Sequence, residues 1–417
     1  MPASSTVAEA TPAASDWLPV AHTVLLVALV VGLTLSISVS QIALGALAAW
    51  LLLARRAGRI PALQAPLLAP IAVFAAWSVV AALASERPLE SLYLSKSLLN
   101  LAALFVIVNA LPDAATARRF VTWLLIALAG AAALAVVQVA ACPGPEAAAQ
   151  ATTLAGKFLR KCARARGFYS IYMTLGGVLA MTLTAALPRL VRVTAEAWWL
   201  GPAWIIGVAA LGLTYVRGAW LGFAAGAMAA VAGLGRRGLV AAVALAVVVP
   251  ALLVGLPGVG ERFRTIGSAA DDTTRDRLAM LEAGRRLGVE NPVTGVGPGQ
   301  LKHAYARVAP PEALRRSTSH LHNTPLQILV ERGIVGLAAW LWIFVAFLVK
   351  GTAILRRLPR EASGDRALVL GSLAAVVTFL VGGLFEYNFG DAEVLLVAMT
   401  LMALPFALGR ARAAARP

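Results

Sequence analysis

Apolar residues along this chain come in long runs separated by short polar stretches. A helix needs about 20 mostly apolar residues to cross the hydrocarbon core of a bilayer. Twelve such runs are legible, at about residues 18–38, 40–54, 66–85, 97–112, 119–141, 171–188, 197–216, 219–234, 238–256, 324–349, 367–385 and 392–409. The run at about 40–54 is the weakest, and the shorter runs imply tilt, merging or partial insertion. The two-residue alternation of a β-barrel is missing, so the spans are read as helices, which satisfy their own backbone polar groups where no water reaches. The expected fold class is all-α: a polytopic membrane helical bundle of about 12 transmembrane helices.

Composition narrows the class further. The chain is 60% hydrophobic and 13% charged, with mean hydropathy +0.80. A soluble domain carries roughly 45–50% apolar and about 25% charged residues. A soluble globular fold, a disordered chain and a secreted disulfide scaffold are thereby excluded. The formal charge of +16 would point to nucleic acid in a soluble protein; in this chain it is first a matter of topology, and no nucleic-acid partner is expected. Residues 1–17 contain no Lys or Arg and lack the basic region of a signal peptide, so they read as a disordered cytoplasmic tail.

One set of short connectors is basic: Arg55, Arg56 and Arg59; Arg118 and Arg119; Arg189 and Arg192; Arg236 and Arg237; Lys350 with Arg356, Arg357, Arg360 and Arg366; and the tail with Arg410, Arg412 and Arg416. The alternate short connectors, near 36–40 and 386–391, carry no Lys or Arg. The positive-inside rule puts the basic set and both termini in the cytoplasm. The chain then divides into a tail at 1–17, helices one to nine over 18–256, a large outer loop at 257–322, helices ten to twelve over 323–409, and a basic cytoplasmic tail at 410–417. Two long connectors, about 142–170 and 257–322, fall outside although both are basic. Topology does not explain their charge, so function is the first place to look.

The two cysteines, Cys142 and Cys162, both lie in the first outer connector. Outside the cytosol such a pair can oxidise. A Cys142–Cys162 disulfide is expected, stabilising its loop by roughly 3 kcal/mol in the chain-entropy model.

The 257–322 loop is punctuated by Pro257-Gly258, Gly295-Val296-Gly297-Pro298-Gly299 and Pro310-Pro311. Between these breaks, Asp272 to Val289 reads as a helix with Thr273 or Thr274 as N-cap and Leu278, Leu281 and Leu287 as its apolar stripe. A second helix runs from Gly299 to about Val308. The loop is thus expected to be a folded helical cap. Of four histidines, His320 and His322 stand in Ser319-His320-Leu321-His322-Asn323, just before the tenth span. A histidine there can act as a base near neutral pH or can cap the following helix. Metal binding is not expected, because His-x-His supplies two ligands at most and no acidic or Cys cluster adjoins it. Arg217 lies between the seventh and eighth runs with almost no loop around it, either snorkelling or serving a site. The planar guanidinium fork suits phosphate, which it grips by two oxygens at once. Glu386, Asp391 and Glu393, near the last outer connector, read first as solvated loop charges and only second as groups that complete the site.

The order Arg277-Leu278-Ala279-Met280-Leu281, Asn291-Pro292-Val293-Thr294-Gly295-Val296-Gly297-Pro298-Gly299, His320-Leu321-His322-Asn323-Thr324-Pro325-Leu326-Gln327 and Glu331-Arg332-Gly333-Ile334-Val335-Gly336 resembles the signature region of bacterial O-antigen ligases and related polymerases. The family pattern is an Arg, a Pro–x–x–Gly–x–Gly turn, a His-Asn pair opening a helix and a Glu–x–Gly on that helix. Arg217-Gly218 resembles the family's Arg at the start of a span. Leu281 stands where a Trp is expected, so Arg275 remains a neighbouring candidate beside Arg277; in the first outer connector, Arg164 and Arg166 are equal candidates.

The resemblance implies a periplasmic active site on the inner membrane of a Gram-negative bacterium. It implies an undecaprenyl-pyrophosphate-linked O-antigen as donor and lipid A–core as acceptor, with no cofactor. His322 would be the general base. Arg217 and Arg277, with Arg164, Arg166 or Arg275, would hold the pyrophosphate; Asn323 and Glu331 would support them. Attack from the opposite face would invert the anomeric centre. An O-antigen polymerase and a protein-directed oligosaccharyltransferase use the same donor class. A lipid-linked glycan transporter is the rival from another class, and it is disfavoured because no internal repeat is evident and the ionisable groups cluster at the outer boundary.

Overall fold

The computed structural model describes residues 17–143, 162–236, 240 and 272–414, and the described residues are helical without a strand. The apolar run at about 238–256, the tail before Trp17, Lys161 and the basic residues Arg237, Arg262 and Arg264 lie outside them.

The first two helices form an antiparallel hairpin, α1 (Trp17–Leu35) and α2 (Ile37–Arg56). Ser36, in extended backbone, breaks the chain between them. The turn is tight because Gly32 has no side chain: a Cβ there would lie 2.5 Å from the Ser40 amide. Far from the turn, His22 stacks on Trp50 with ring centroids 4.7 Å apart. The break leaves the Leu33 carbonyl without a helical partner, and the buried Tyr169 hydroxyl donates to it at 2.9 Å. The run read as weakest, about 40–54, is therefore a full 20-residue helix, α2.

After α3 (Leu68–Leu83), Pro88 opens α4 (Pro88–Leu94), which continues through a 3₁₀ turn, Ser95–Leu101, into α5 (Ala102–Ala110). Pro88–Ala110 acts as one span. It starts earlier than the run at about 97–112, because Glu90 and Lys96 interrupt the apolar pattern but not the helix. Then follow α6 (Ala114–Ala140), capped by Asp113 accepting from the Thr116 amide at 2.8 Å, α7 (Tyr172–Arg192), α8 (Ala197–Leu213) and α9 (Arg217–Ala232). The cap contributes α10 (Asp272–Glu290) and α11 (Leu301–Val308); the chain ends with α12 (Thr324–Arg357), α13 (Ser363–Gly382) and α14 (Ala392–Ala414). Among the described residues seven helices are long and apolar enough to cross a membrane, and α3, α8 and Pro19–Leu35 are shorter apolar helices.

Small residues bring the central helices together, as they must where lipid gives no hydrophobic drive between helices. A Cβ at Gly222 of α9 would lie 2.7 Å from the Thr378 carbonyl of α13. Gly371 of α13 abuts the Ala185 carbonyl of α7 in the same way. The Thr378 hydroxyl donates to that of Thr184 at 2.9 Å between the same two helices.

The basic connectors gather at one end of the bundle. There Arg118 pairs with Asp365 at 2.5 Å, and Arg192, Arg366 and Arg410 donate to the carbonyls of Leu234, Leu358 and Leu111. Cations on exposed helix C-termini satisfy orphan carbonyls and the helix dipole together. The start of α1 is at this end as well, with His22 on the Ala110 carbonyl. The opposite end carries the Cys142–Cys162 disulfide, whose Cα atoms are 5.4 Å apart, and the cap.

The cap core is Met280, Ala283, Leu287, Leu301, Ala304, Tyr305, Leu321 and Val330. Helix α10 forms where the sequence places it, but its buried face is rotated from the expected stripe. Leu278 and Leu281 are 53% and 40% exposed, while Asp276, Met280, Ala283 and Leu287 are buried. The reason is that Asp276 turns inward to accept from the Arg315 amide at 3.2 Å and to pair with its guanidinium.

The cap locks onto α12 through a break in that helix. Gly333 adopts φ 67°, ψ −173°, so the helical ladder lapses. The freed carbonyls of Val330 and Glu331 accept from the amides of Val296 and Gly297 at 2.8 and 3.1 Å, and the Ile334 amide donates to Pro292 at 2.8 Å. The Pro–x–x–Gly–x–Gly turn is thus a plug for a broken helix. Only glycine suits position 333, since its φ is left-handed and a Cβ would run into the Val293 carbonyl. Gly333→Ala should lower stability by about 1–3 kcal/mol from backbone strain alone, read as a lower thermal midpoint and faster proteolysis of the cap; an unchanged midpoint would contradict this account.

Candidate active site

The turn between the cap and α12 places His322 in the left-handed region, φ 49°, which is rare for a residue with a Cβ and is held only where the surroundings over-determine it. Asn323 supplies that hold. Its side-chain oxygen accepts from the Leu326 amide at 2.9 Å, capping α12, and its amide donates to the Leu384 carbonyl at 3.0 Å. The helix cap is therefore Asn323 and not a histidine. Thr324 adds two bonds, from its amide to Gly383 at 2.6 Å and from its hydroxyl to the Glu386 carbonyl at 2.8 Å.

These bonds fix the α13–α14 connector against the histidine. Glu386, read from the sequence as a solvated charge, is 8% exposed. Its Oε2 lies 2.7 Å from His322 Nδ1, and its Oε1 accepts from Arg277 Nη2 at 2.8 Å. A carboxylate accepts only, so this bond puts a proton on Nδ1, the tautomer that in a neutral imidazole leaves Nε2 as the acceptor. Asp391 and Glu393 also depart from that reading. Asp391 accepts from the Thr174 hydroxyl at 2.6 Å and from the Val394 amide at 3.2 Å, and Glu393 is half-buried at the start of α14.

Arg217 opens α9, as its place between two apolar runs implied. The next residue, Gly218, packs directly on the Glu386 turn: a Cβ there would be 2.6 Å from Phe385 Cβ and 3.7 Å from Glu386 Cγ. Arg217 and His322 are therefore at the same end of the bundle, joined through the Phe385–Glu386 turn. Arg217 is exposed and has no side-chain partner among the described residues. A narrow cleft runs below the turn between α7, α9 and α13, and Glu386 is its ionisable lining residue.

The other predicted residues are distributed as follows. Arg275 is half-buried on α10 beside Asp276. Arg164 lies over the Tyr172 ring at 4.5 Å, and the Arg166 amide donates to the Gln138 side chain at 3.3 Å. Both stay at the site end, on the strand of chain that follows the disulfide. Glu331 is buried at the α12 break, accepting from Gln327 and Arg332, each at 2.7 Å. Gln327 in turn accepts from the Leu321 amide at 2.9 Å, so Glu331 reaches the histidine turn through one side chain. Arg332 also donates to the Ser78 hydroxyl at 3.0 Å, tying this network to α3.

His320 stands edge-on to His322, with ring centroids 4.5 Å apart. Burial pushes its pKa below the ordinary value, the neighbouring His322 pushes the same way, and Glu386 opposes. His320 is therefore held neutral beside the bonded histidine. Sequence reasoning ranked a site role for Glu386 below that of a solvated charge. The available signal was a carboxylate between two strongly apolar runs, where an ionisable group is costly unless it is used.

The arrangement defines a class: a polytopic helical membrane protein with an imidazole–carboxylate–guanidinium group and an exposed guanidinium near it, beside a helical cap. Residues 202–341, about a third of the chain, match the family described as O-Antigen ligase. This is a superfamily of ligase- and polymerase-like membrane enzymes. The matched segment contains Arg217, Arg277, His322, Asn323 and Glu331, and Glu386 lies beyond it. No curated protein matches the chain.

Proposed function

We propose that the protein is an O-antigen ligase. It would move a polysaccharide from undecaprenyl pyrophosphate to a sugar hydroxyl of lipid A–core at the periplasmic face of the inner membrane. The observation that carries this reading is the His322–Glu386–Arg277 group beside Arg217, inside and just beyond the family-matched segment.

His322 Nε2 takes the proton of the acceptor hydroxyl while Nδ1–H stays on Glu386, whose charge stabilises the imidazolium that forms. The acceptor oxygen bonds to the anomeric carbon as the bond from that carbon to the phosphate oxygen breaks. The pair of electrons leaves with the carrier pyrophosphate, which gains a negative charge. Arg217 meets that charge with its full fork, and Arg277 with the donors not given to Glu386. Preorganised cations in a poorly hydrated site are usually the larger catalytic contribution. Attack opposite the leaving group inverts the anomeric centre. The pyrophosphate bond already carries the activation, so neither a nucleotide nor a metal enters a step. About twelve spans with both termini cytoplasmic fit this reading. Its support is that the basic connectors and the site occupy opposite ends of the bundle.

The test is a transfer assay with purified protein and carrier-linked O-antigen, offering lipid A–core, a second carrier-linked glycan, or a pilin-type protein as acceptor. Product with lipid A–core is expected. Product with the carrier-linked glycan alone would make the protein a polymerase, and product with protein alone an oligosaccharyltransferase. Turnover in detergent, where there is no second compartment, would exclude transport as the primary role.

A further inference from the structure

A second polar pocket shares no lining residue with the cleft under Glu386. It is an open depression between the α3–α4 turn and α11. Its lining includes Glu86, Asn291, Gln300, His303 and Arg307 with the backbone of Gly295 and Val296. Along α11, Leu301, Ala304 and Tyr305 turn into the core, which leaves His303 and Arg307, one turn apart, facing the pocket.

Gln300 is 4% exposed, yet its Nε2 has no hydrogen-bond partner. A buried amide donor without an acceptor is costly, so a native protein keeps one where something else supplies the acceptor. The charges around it are paired: Arg307 with Glu86 at 3.2 Å and Arg87 with Glu90 at 3.5 Å, while His303 Nε2 lies 3.2 Å from Glu90 and 3.3 Å from Arg87. A free phosphate would meet these carboxylates and find no unshared cation. The Arg307–Glu86 pair is also solvent-exposed at both ends, so it holds weakly and can open. Side-chain amides, an imidazole and a salt-bridged guanidinium–carboxylate pair set side by side offer the mixed donors and acceptors that suit a neutral polyhydroxylated ring.

We infer that this pocket, formed by Gln300, Asn291, His303, Arg307 and Glu86, is a saccharide subsite that binds one neutral pyranose of a glycan away from the bond being made. The inference rests on the proposed transfer of glycans. The sugar belongs to either the donor polymer or the acceptor core, which share the same ring chemistry, and the test separates them.

The experiment is saturation-transfer NMR on the full-length protein in nanodiscs. Two lipid-free probes are used separately: the oligosaccharide repeat released from the donor polymer, and the core oligosaccharide freed of lipid A. One of the two should give signal with the wild type and equally with His322→Ala. Gln300→Leu and Arg307→Ala should each weaken that probe by about three- to ten-fold, the loss of one hydrogen bond. Gln300→Leu should not lower the thermal midpoint, because it removes an unsatisfied donor and breaks no bond; a purely structural Gln300 would lower it. If Gln300→Leu fails to fold, Arg307→Ala and Glu86→Gln carry the same test. Equal binding by wild type and folded variants would overturn the inference, as would silence from both probes, which would leave the pocket to water. Probe binding that persists while the transfer assay fails with every acceptor would uphold the subsite and reject the proposed reaction.

Discussion

Replacing His322 by alanine should leave expression and membrane insertion intact and reduce transfer by about 10²–10⁴-fold, the usual contribution of a positioned general base. Lipid A–core would then accumulate uncapped. Glu386→Gln should be nearly as damaging although it barely changes size. The amide removes the charge that stabilises the imidazolium, and its NH₂ group can turn toward Nδ1 and favour the wrong tautomer. Groups that act as a unit are strongly non-additive. The double variant His322→Ala with Glu386→Gln should therefore be no slower than His322→Ala alone. Additive losses in that cycle would show that Glu386 acts elsewhere, for instance only by holding Arg277. Full capping by His322→Ala would refute the base assignment outright.

Arg217→Lys should lower transfer by about ten- to a hundred-fold while keeping the charge, because one or two charge-assisted hydrogen bonds of the planar fork are lost. The Glu386 turn packs on the following glycine, so the change is confined to the exposed guanidinium itself. Arg277→Lys should cost less against the pyrophosphate but more against the His322–Glu386 geometry, since Arg277 already spends one donor on Glu386. Steady-state kinetics of transfer with varied donor concentration would show the difference. Unchanged transfer by Arg217→Lys would mean that a point charge suffices at this position.

The family signature read from the sequence mixes two jobs that look alike on paper. Arg277 and His322 meet on Glu386, and Arg217 stands at the same end of the bundle, next to the glycine that packs on the Glu386 turn. The Pro292–Gly297 turn, equally prominent in the pattern, does not face them. It supplies amides to carbonyls freed by Gly333 and so fixes the cap to α12. Glu331 likewise sits in a buried network with Gln327, Arg332 and Ser78, one side chain removed from the histidine turn. A glycine in a left-handed turn and a glycine beside a ligand are indistinguishable by spacing, because both answer only to the absence of a Cβ. The α10 stripe held at Leu287 and failed at Leu278 and Leu281 for a related reason. Periodicity weighs Leu278 and Leu281 by hydrophobicity, whereas the buried face was set by Asp276 reaching Arg315.

Hydrophobic run length and the two cysteines determined from sequence alone that the chain is a helical membrane protein with a cross-linked connector, and connector charge set its basic end apart. These properties are local, and each follows from the cost of an unpaired backbone or an ionised group in hydrocarbon. Tertiary structure alone decided that Glu386, 64 residues beyond His322 in the chain, is the partner of the imidazole. It also decided that Gly218 brings Arg217 against the same turn. Contacts between the ends of different helices depend on how the bundle packs, and no pattern within one helix encodes which other end it will meet.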